Sequence, residues 1–222
     1  MRMSEFNPLR IEVDMMTSIV HSNTHPIHLD GLLYWAIYSM NNNHEKIIEV
    51  LDETLSKSQD VYHASQALYE KSSSHNILAK EITRITRTDW KEFDGILTKP
   101  KKTIKENEGV FCKKFTLKLA TQVKRIIFFA HGNHEKIQFY LNSILGIGLQ
   151  ANSGFGEIAK VKVVRIVDDH SWFLDEKLNR ILPKSMFYMS RNEPVRSCRY
   201  KPNYKSSDVV DCYIPTNNTL VV

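Results

Sequence analysis

The chain has 222 residues, 42% of them hydrophobic, and a net charge of +5, so it can build an ordinary buried core in one large or two small domains without covalent staples. Its three cysteines, Cys112, Cys198 and Cys212, are odd in number, widely spaced and without C-x-x-C pairing, which argues against a zinc or redox site and fits a reduced, cytoplasmic compartment. Residues 1–7 lack an apolar signal stretch, and no segment approaches the roughly 18 unbroken apolar residues of a membrane span, so neither secretion nor membrane insertion is expected.

Leu9, Ile11 and Val13 alternate with Arg10, Glu12 and Asp14, a period of two that predicts a half-buried first strand. After a loop holding His21, His25 and His28, the residues Leu29, Leu32, Leu33, Ala36, Ile37 and Met40 fall at helical spacing. Asp30 suits the positive N-terminal end of that helix, and the asparagines at 41–43 end it. A second helix carries Ile47, Ile48, Leu51 and Leu55 on one face, and residues 56–75 are polar and without a clear period. Residues 77–88 and 111–119 both alternate, with a Lys-rich stretch, 98–114, between them, which predicts a long hairpin with a basic arm. The run Ile126, Ile127, Phe128 and Phe129 is what a central strand covered on both faces needs. A third helix follows, with Asn133 as N-cap, Ile137, Tyr140, Leu141 and Ile144 at helical spacing, and Gly146 as its stop. Ile158, Val161, Val163 and Ile166 mark a last core strand that ends at Asp168 and Asp169.

The order is strand, helix with a helical insertion, strand, strand, helix, strand, the β-α-β-β-α-β pattern of ferredoxin-like and RNA-recognition domains. The expected fold class is therefore α+β. A ferredoxin-like domain spans 1–169, with a basic thumb at about 97–115, and residues 170–222 form an irregular extension packed on the same domain.

Charge is concentrated rather than spread. Lys99, Lys101, Lys102, Lys105, Lys113, Lys114, Lys118, Lys124 and Arg125, against Glu106 and Glu108, give residues 97–125 a charge of +7, so the rest of the chain sums to −2. Such focusing suits a phosphate-bearing partner. A second marked stretch runs Gly146, Ile147, Gly148, Leu149, Gln150, Ala151, Asn152, Ser153, Gly154, Phe155, Gly156 and reads G-h-G-x5-G-h-G. Glycine stands where a backbone needs positive φ or lets another backbone come close. That neighbour is either a nucleic-acid backbone or, in the plainer reading, the protein's own helix end and β-turn.

The glycine pattern at this position resembles the RAMP superfamily of CRISPR-associated RNA-binding proteins. Pro8-Leu9-Arg10-Ile11, followed by Pro26-Ile27-His28-Leu29-Asp30-Gly31-Leu32-Leu33, is similar to a narrower group, the subunit that caps the 5′ handle of the crRNA in type IV effector complexes, counterpart of the Cas-five subunit of type I. Arg196-Ser197-Cys198-Arg199-Tyr200-Lys201-Pro202-Asn203-Tyr204, with Cys212-Tyr213-Ile214-Pro215, is similar to that group's C-terminal segment. The resemblance implies a non-catalytic RNA-binding subunit without cofactor. Its partners are the crRNA, the backbone subunit and the large subunit, with a target DNA duplex close to its protospacer-adjacent motif. The implied RNA contacts are the thumb lysines 99, 101, 102, 105, 113 and 114, namely Lys99, Lys101, Lys102, Lys105, Lys113 and Lys114. The glycine corner adds Gly146, Gly148, Gln150, Asn152, Ser153, Gly154, Phe155 and Gly156; His131 and Asn133 lie on the edge facing RNA, and Arg196, Arg199 and Tyr200 supply phosphate donors and a stacking face.

Two rival readings stay open. In a metal-independent RAMP endoribonuclease that processes repeat RNA, one of His21, His25 or His28 acts as general base, although His28 within its helix motif suits packing or capping better. In a protein-only scaffold, the glycine loop merely shapes a turn. The H-x3-H-x2-H spacing, with Pro26 inside it, lacks the single-helix geometry of a zinc site. No Ser-His-Asp, Walker or paired-carboxylate pattern is visible, and Asp168 and Asp169, as strand neighbours, point to opposite faces.

Overall fold

The computed structural model describes residues 6–21, 26–40, 43–71, 79–85, 115–189, 193–216 and 219–221. The first alternating segment becomes β1 (Asn7–Met15), with Leu9, Ile11 and Val13 fully buried and the residues between them half-buried. A short β2 (Ile19–Val20) precedes α1 (Leu29–Met40), whose inner face buries Leu29, Leu33, Ala36 and Ile37. α2 (His44–Asp52) starts where the Asn43 side chain accepts a hydrogen bond from the Glu45 amide at 3.0 Å, a cap that contributes about 1 kcal/mol. Leu55, expected on this helix, lies beyond its end in a β-bridge to Gly132 and is fully buried there.

A small hairpin, β3 (Lys57–Ser58) and β4 (Val61–Tyr62), leads to β5 (Leu68–Lys71). Next come β6 (Ala79–Ile85), β7 (Phe115–Thr121), β8 (Arg125–Gly132), α3 (His134–Asn142) and β9 (Ile158–Arg165). The last fifty residues hold β10 (Phe173–Leu174), β11 (Lys177–Leu178), β12 (Leu182–Pro183), β13 (Val195–Cys198), β14 (Val210–Tyr213) and β15 (Thr219–Val221).

The main sheet has the order β15-β5-β8-β1-β9, antiparallel throughout except for the parallel β15–β5 pair. Ile11 sits between Phe128 and Val163, and Val13 between Ile126 and Val161. Those side chains share one face, and Leu33 and Ile37 of α1, Ile47 and Leu51 of α2, and Ile137 and Leu141 of α3 pack into the same cluster. Each such buried aliphatic side chain contributes about 1.5–3 kcal/mol relative to exposure. Successive residues of a strand face opposite sides, so Ile127 and Phe129 of β8 point away from the helices and pack with Leu68, Ile166 and Leu174. The apolar run of β8 is thus covered on both faces, as its sequence predicts.

The structure also corrects the sequence reading of the sheet and of the extension. The strand beside β8 is β5, drawn from the polar stretch 56–75, whereas the β6–β7 hairpin joins β2 in a separate sheet of order β2-β7-β6. β5 meets β8 only at Leu68↔Ile127 and Tyr69↔Ile126, too short a contact to impose a readable period. The described part of the extension 170–222 also holds short strands and is not irregular throughout. β12, β14 and β13 form their own sheet, and Leu178, Ile181, Leu182, Tyr200, Cys212 and Tyr213 close over Val61 in a second apolar cluster. β15 then adds a fifth strand to the main sheet.

Candidate functional site

The glycine segment is a corner folded back on β2. The Leu149 amide donates to Val20 O at 2.7 Å, the Gly156 amide to Ser18 O at 2.9 Å, and the Ile147 amide to Gly156 O at 2.8 Å. At Gly148, with φ +98°, a methyl group would stand 2.6 Å from Val20 O; at Gly156, with φ +66°, it would collide with Ile147 O. These two glycines are therefore required by the approach of the protein's own backbone. α3 ends at Asn142 with Ser143 as its cap, so Gly146 is not the helix stop that its position predicts; it bridges Glu157 instead. The tip presents polar groups outward: Asn152, Ser153 and Gly154 are exposed, and Gln150 and Phe155 are half-buried.

The same β2 strand also carries the hairpin. Ile19 pairs with Thr121 and Val20 with Ala120 of β7, and seven further pairs, from Ala79↔Thr121 to Ile85↔Phe115, build the stem. The glycine corner, through Ser18 and Val20, and the hairpin root, through Ile19 and Val20, are thus fastened to the same short stretch and share Val20. Lys99, Lys101, Lys102, Lys105, Lys113 and Lys114 lie outside the described residues. Of the basic window, Arg125 is held by Asp14 at 2.7 Å, with Glu12 and Glu70 beyond, and this pairing raises its pKa.

At the other end of β8, the Asn133 side chain accepts from the Lys136 amide at 3.0 Å and caps α3. His131 places Nδ1 2.7 Å from Ser56 Oγ, and burial lowers its pKa. In the extension, Tyr200 is only 6% exposed, so its ring fills the second cluster and offers no stacking face to solvent. Arg196 is exposed on β13 opposite Cys212, and Arg199 donates from Nε to Ser207 O at 2.7 Å.

The structure assembles two clusters that no local spacing announces. The first is centred on the fully buried Asp30 and Arg180. Arg180 donates from NH2 to Asp30 Oδ2 at 2.6 Å and to Tyr200 O at 2.9 Å, and from NH1 to Ala64 O at 2.5 Å, while the Tyr204 hydroxyl donates to Asp30 Oδ1 at 2.9 Å. Burial works against the Arg180 charge, and Asp30 more than restores it, so its pKa is raised. His28 stacks on Tyr204 with ring centroids 5.7 Å apart and planes 11° from parallel. Burial first, then the Arg180 charge, holds its pKa at about 3, so the ring is neutral. Asp30 is therefore not merely a helix-dipole residue: it is the anchor by which the extension grips the start of α1. Its partners lie 150 and 174 residues away, which explains why sequence periodicity could not reveal the pairing.

The second cluster is a hydroxyl–imidazole–carboxylate chain. Ser58 Oγ lies 2.9 Å from His63 Nε2, and His63 Nδ1 lies 3.0 Å from Asp169 Oδ2. The His63 ring stacks on Trp172 at 4.2 Å. Burial would raise the Asp169 pKa, but hydrogen bonds from His63 and Ser171 outweigh it and hold the carboxyl at about 2. The chain ties the β3–β4 hairpin to the segment after β9. Of the histidines weighed for catalysis, His21 places Nε2 3.2 Å from Thr121 Oγ1 and stacks on Tyr69, His28 is the buried ring just described, and His25 lies outside the described residues.

Among the described residues, no group of three or more His, Cys, Asp or Glu is gathered as a metal site, and no helix is long and apolar enough to cross a membrane.

Comparison of the chain with known families assigns it to a class, the type IV CRISPR-associated proteins. The model for "CRISPR type IV associated protein Csf3" matches residues 7–215, and the chain belongs to the Csf3 family. The resemblance carried by the sequence motifs is borne out at that level. No curated protein matches the chain. A solved chain from a cryo-EM structure of the type III-B Cmr-beta bound to cognate target RNA is similar at 12% identity with a TM-score of 0.42, covering 72% of this chain and 61% of that one.

Proposed function

We propose that this Csf3-family chain is a non-catalytic RNA-binding subunit of a cytoplasmic type IV CRISPR ribonucleoprotein, and that it holds the 5′ handle of the crRNA between the glycine corner and the basic hairpin. The observation that carries the reading is the shared strand: Val20 accepts from Leu149 in the corner and pairs with Ala120 at the hairpin root. The stem that flanks the Lys-rich segment and a polar loop tip, exposed at Asn152 to Gly154, are thereby rooted at one place. The order β5-β8-β1-β9, antiparallel with a helix after each central strand, supports a ferredoxin-like RAMP domain as the platform. The backbone and large subunits, with a target duplex near its protospacer-adjacent motif, complete the proposed assembly.

Lysines hold phosphates as point charges and release counterions, so affinity falls with salt. Binding of labelled handle RNA at several salt concentrations, with cleavage followed in the same tubes, tests the proposal. Contact with about five phosphates gives a log-log slope near −3.5 for single-stranded RNA, with the RNA intact. Lys101→Glu, Lys102→Glu and Lys105→Glu together weaken binding strongly while leaving the melting temperature unchanged. A flat salt response, unchanged affinity of the triple variant, or cleavage of the RNA defeats the reading.

A further inference from the structure

The wall between the start of α1 and β13 opens into a cleft of about 630 Å3, within the roughly 300–1,000 Å3 typical of small-ligand sites. Ile27, Leu32, Ile181 and Val209 make it apolar; Arg196 and Arg199 line it as well, and none of its lining residues is acidic. His28 lines it from inside. That ring is 5% exposed, and neither nitrogen has a hydrogen-bond partner. A buried polar group left unsatisfied costs roughly 1–3 kcal/mol, and here it is kept beside an open cavity while the neighbouring Asp30, Arg180 and Tyr204 are hydrogen-bonded to one another.

Three of these features select one kind of ligand. Apolar walls receive the face of a flat heterocycle. A neutral imidazole offers one donor and one acceptor, as the edge of a nucleobase does. Guanidinium groups take phosphate oxygens in a forked geometry and stack on bases. We propose that this cleft is a pocket for a single unpaired 5′-phosphorylated nucleotide, with its base between Ile27, Leu32 and Val209, its edge on His28 and its phosphate on Arg196 and Arg199. In the structure both His28 nitrogens are covered. Entry of the base is accompanied by a turn about the broad second side-chain torsion of histidine, which brings a nitrogen to the base edge. The pocket uses Arg196 and Arg199, which the family resemblance also implies as RNA contacts, but neither the glycine corner nor the hairpin lysines.

The test titrates the full chain with AMP, GMP, CMP and UMP and, in a second arm, photocrosslinks it to single-stranded RNA containing 4-thiouridine. Saturable mononucleotide binding supports the pocket with a free nucleotide as occupant; crosslinks confined to 26–32 or 196–209 without such binding support it with a nucleotide of an RNA strand. In either case Val209→Trp, which fills the cleft from its exposed side, and Arg196→Glu each reduce binding or crosslinking about ten-fold or more at unchanged melting temperature. His28→Gln changes the order of base preference. Crosslinks confined to other peptides together with no mononucleotide binding, or full binding by Val209→Trp, overturn the inference. The Lys101, Lys102 and Lys105 charge-reversed chain separates it from the handle reading: loss of handle affinity with the cleft signal retained supports the pocket as an independent site, and loss of handle affinity with cleft variants indistinguishable from wild type rejects the pocket alone.

Discussion

Acidification should destabilise this protein through His28 above all. In the folded chain His28 is neutral with a pKa of about 3, because burial and then the Arg180 charge disfavour the imidazolium more than Asp30 favours it. The unfolded chain titrates near the ordinary 6.5. A depressed histidine pKa means that the unfolded state binds the extra proton, so stability is unaffected above pH 6.5 and falls steadily from there down to about pH 3. The slope for one proton is about 1.4 kcal/mol per pH unit. Integrated from pH 7.5 to 5, His28 removes roughly 2 kcal/mol, which for a chain of this size is a drop of about 4–8 °C in melting temperature. Urea unfolding of the wild type and of His28→Gln at pH 7.5, 6 and 5 isolates the effect, since the remaining ionisable groups contribute alike to both. The wild type should lose about 2 kcal/mol more than the variant across that range. Parallel pH dependences would refute the claim that this ring is buried without a proton.

Two further expectations follow from the same packing. Arg180→Met leaves Asp30 buried without its cationic partner and should cost about 3–5 kcal/mol, and the same holds for Asp30→Ala, whereas the double variant should recover part of the loss; denaturant midpoints of the three chains measure this, and additive losses would show that the pair is not coupled. Gly156→Ala should destabilise by well over the roughly 1–2 kcal/mol of left-handed backbone strain, because its methyl collides with Ile147 O. Gly154→Ala, at φ +84° with open space around it, should cost only that strain. Equal melting temperatures for the two variants would contradict the corner's packing.

Periodic local patterns announced much of the scaffold. Leu9, Ile11 and Val13 marked β1, the run 126–129 marked a strand buried on both sides, and Asn133 capped α3 as expected. In each case the information lies in residues two to four positions apart, so a linear chain displays it. The glycine at 148 was visible as a backbone-contact position, but not the identity of its neighbour, because Val20 lies more than a hundred residues upstream.

The elements with little internal pattern depended on the assembled molecule. β5 is too short for alternation and exists because β8 offers it an edge; β12, β13 and β14 order the extension through pairs with each other. Asp30 with Arg180, Ser58 with His63 and Asp169, and the cleft beside His28 join residues from distant parts of the chain. Periodicity reports which face of an element seeks the interior. The partner that a charged or hydrogen-bonding group finds there is set by chain closure over long distances, and that becomes legible only once the backbone has folded.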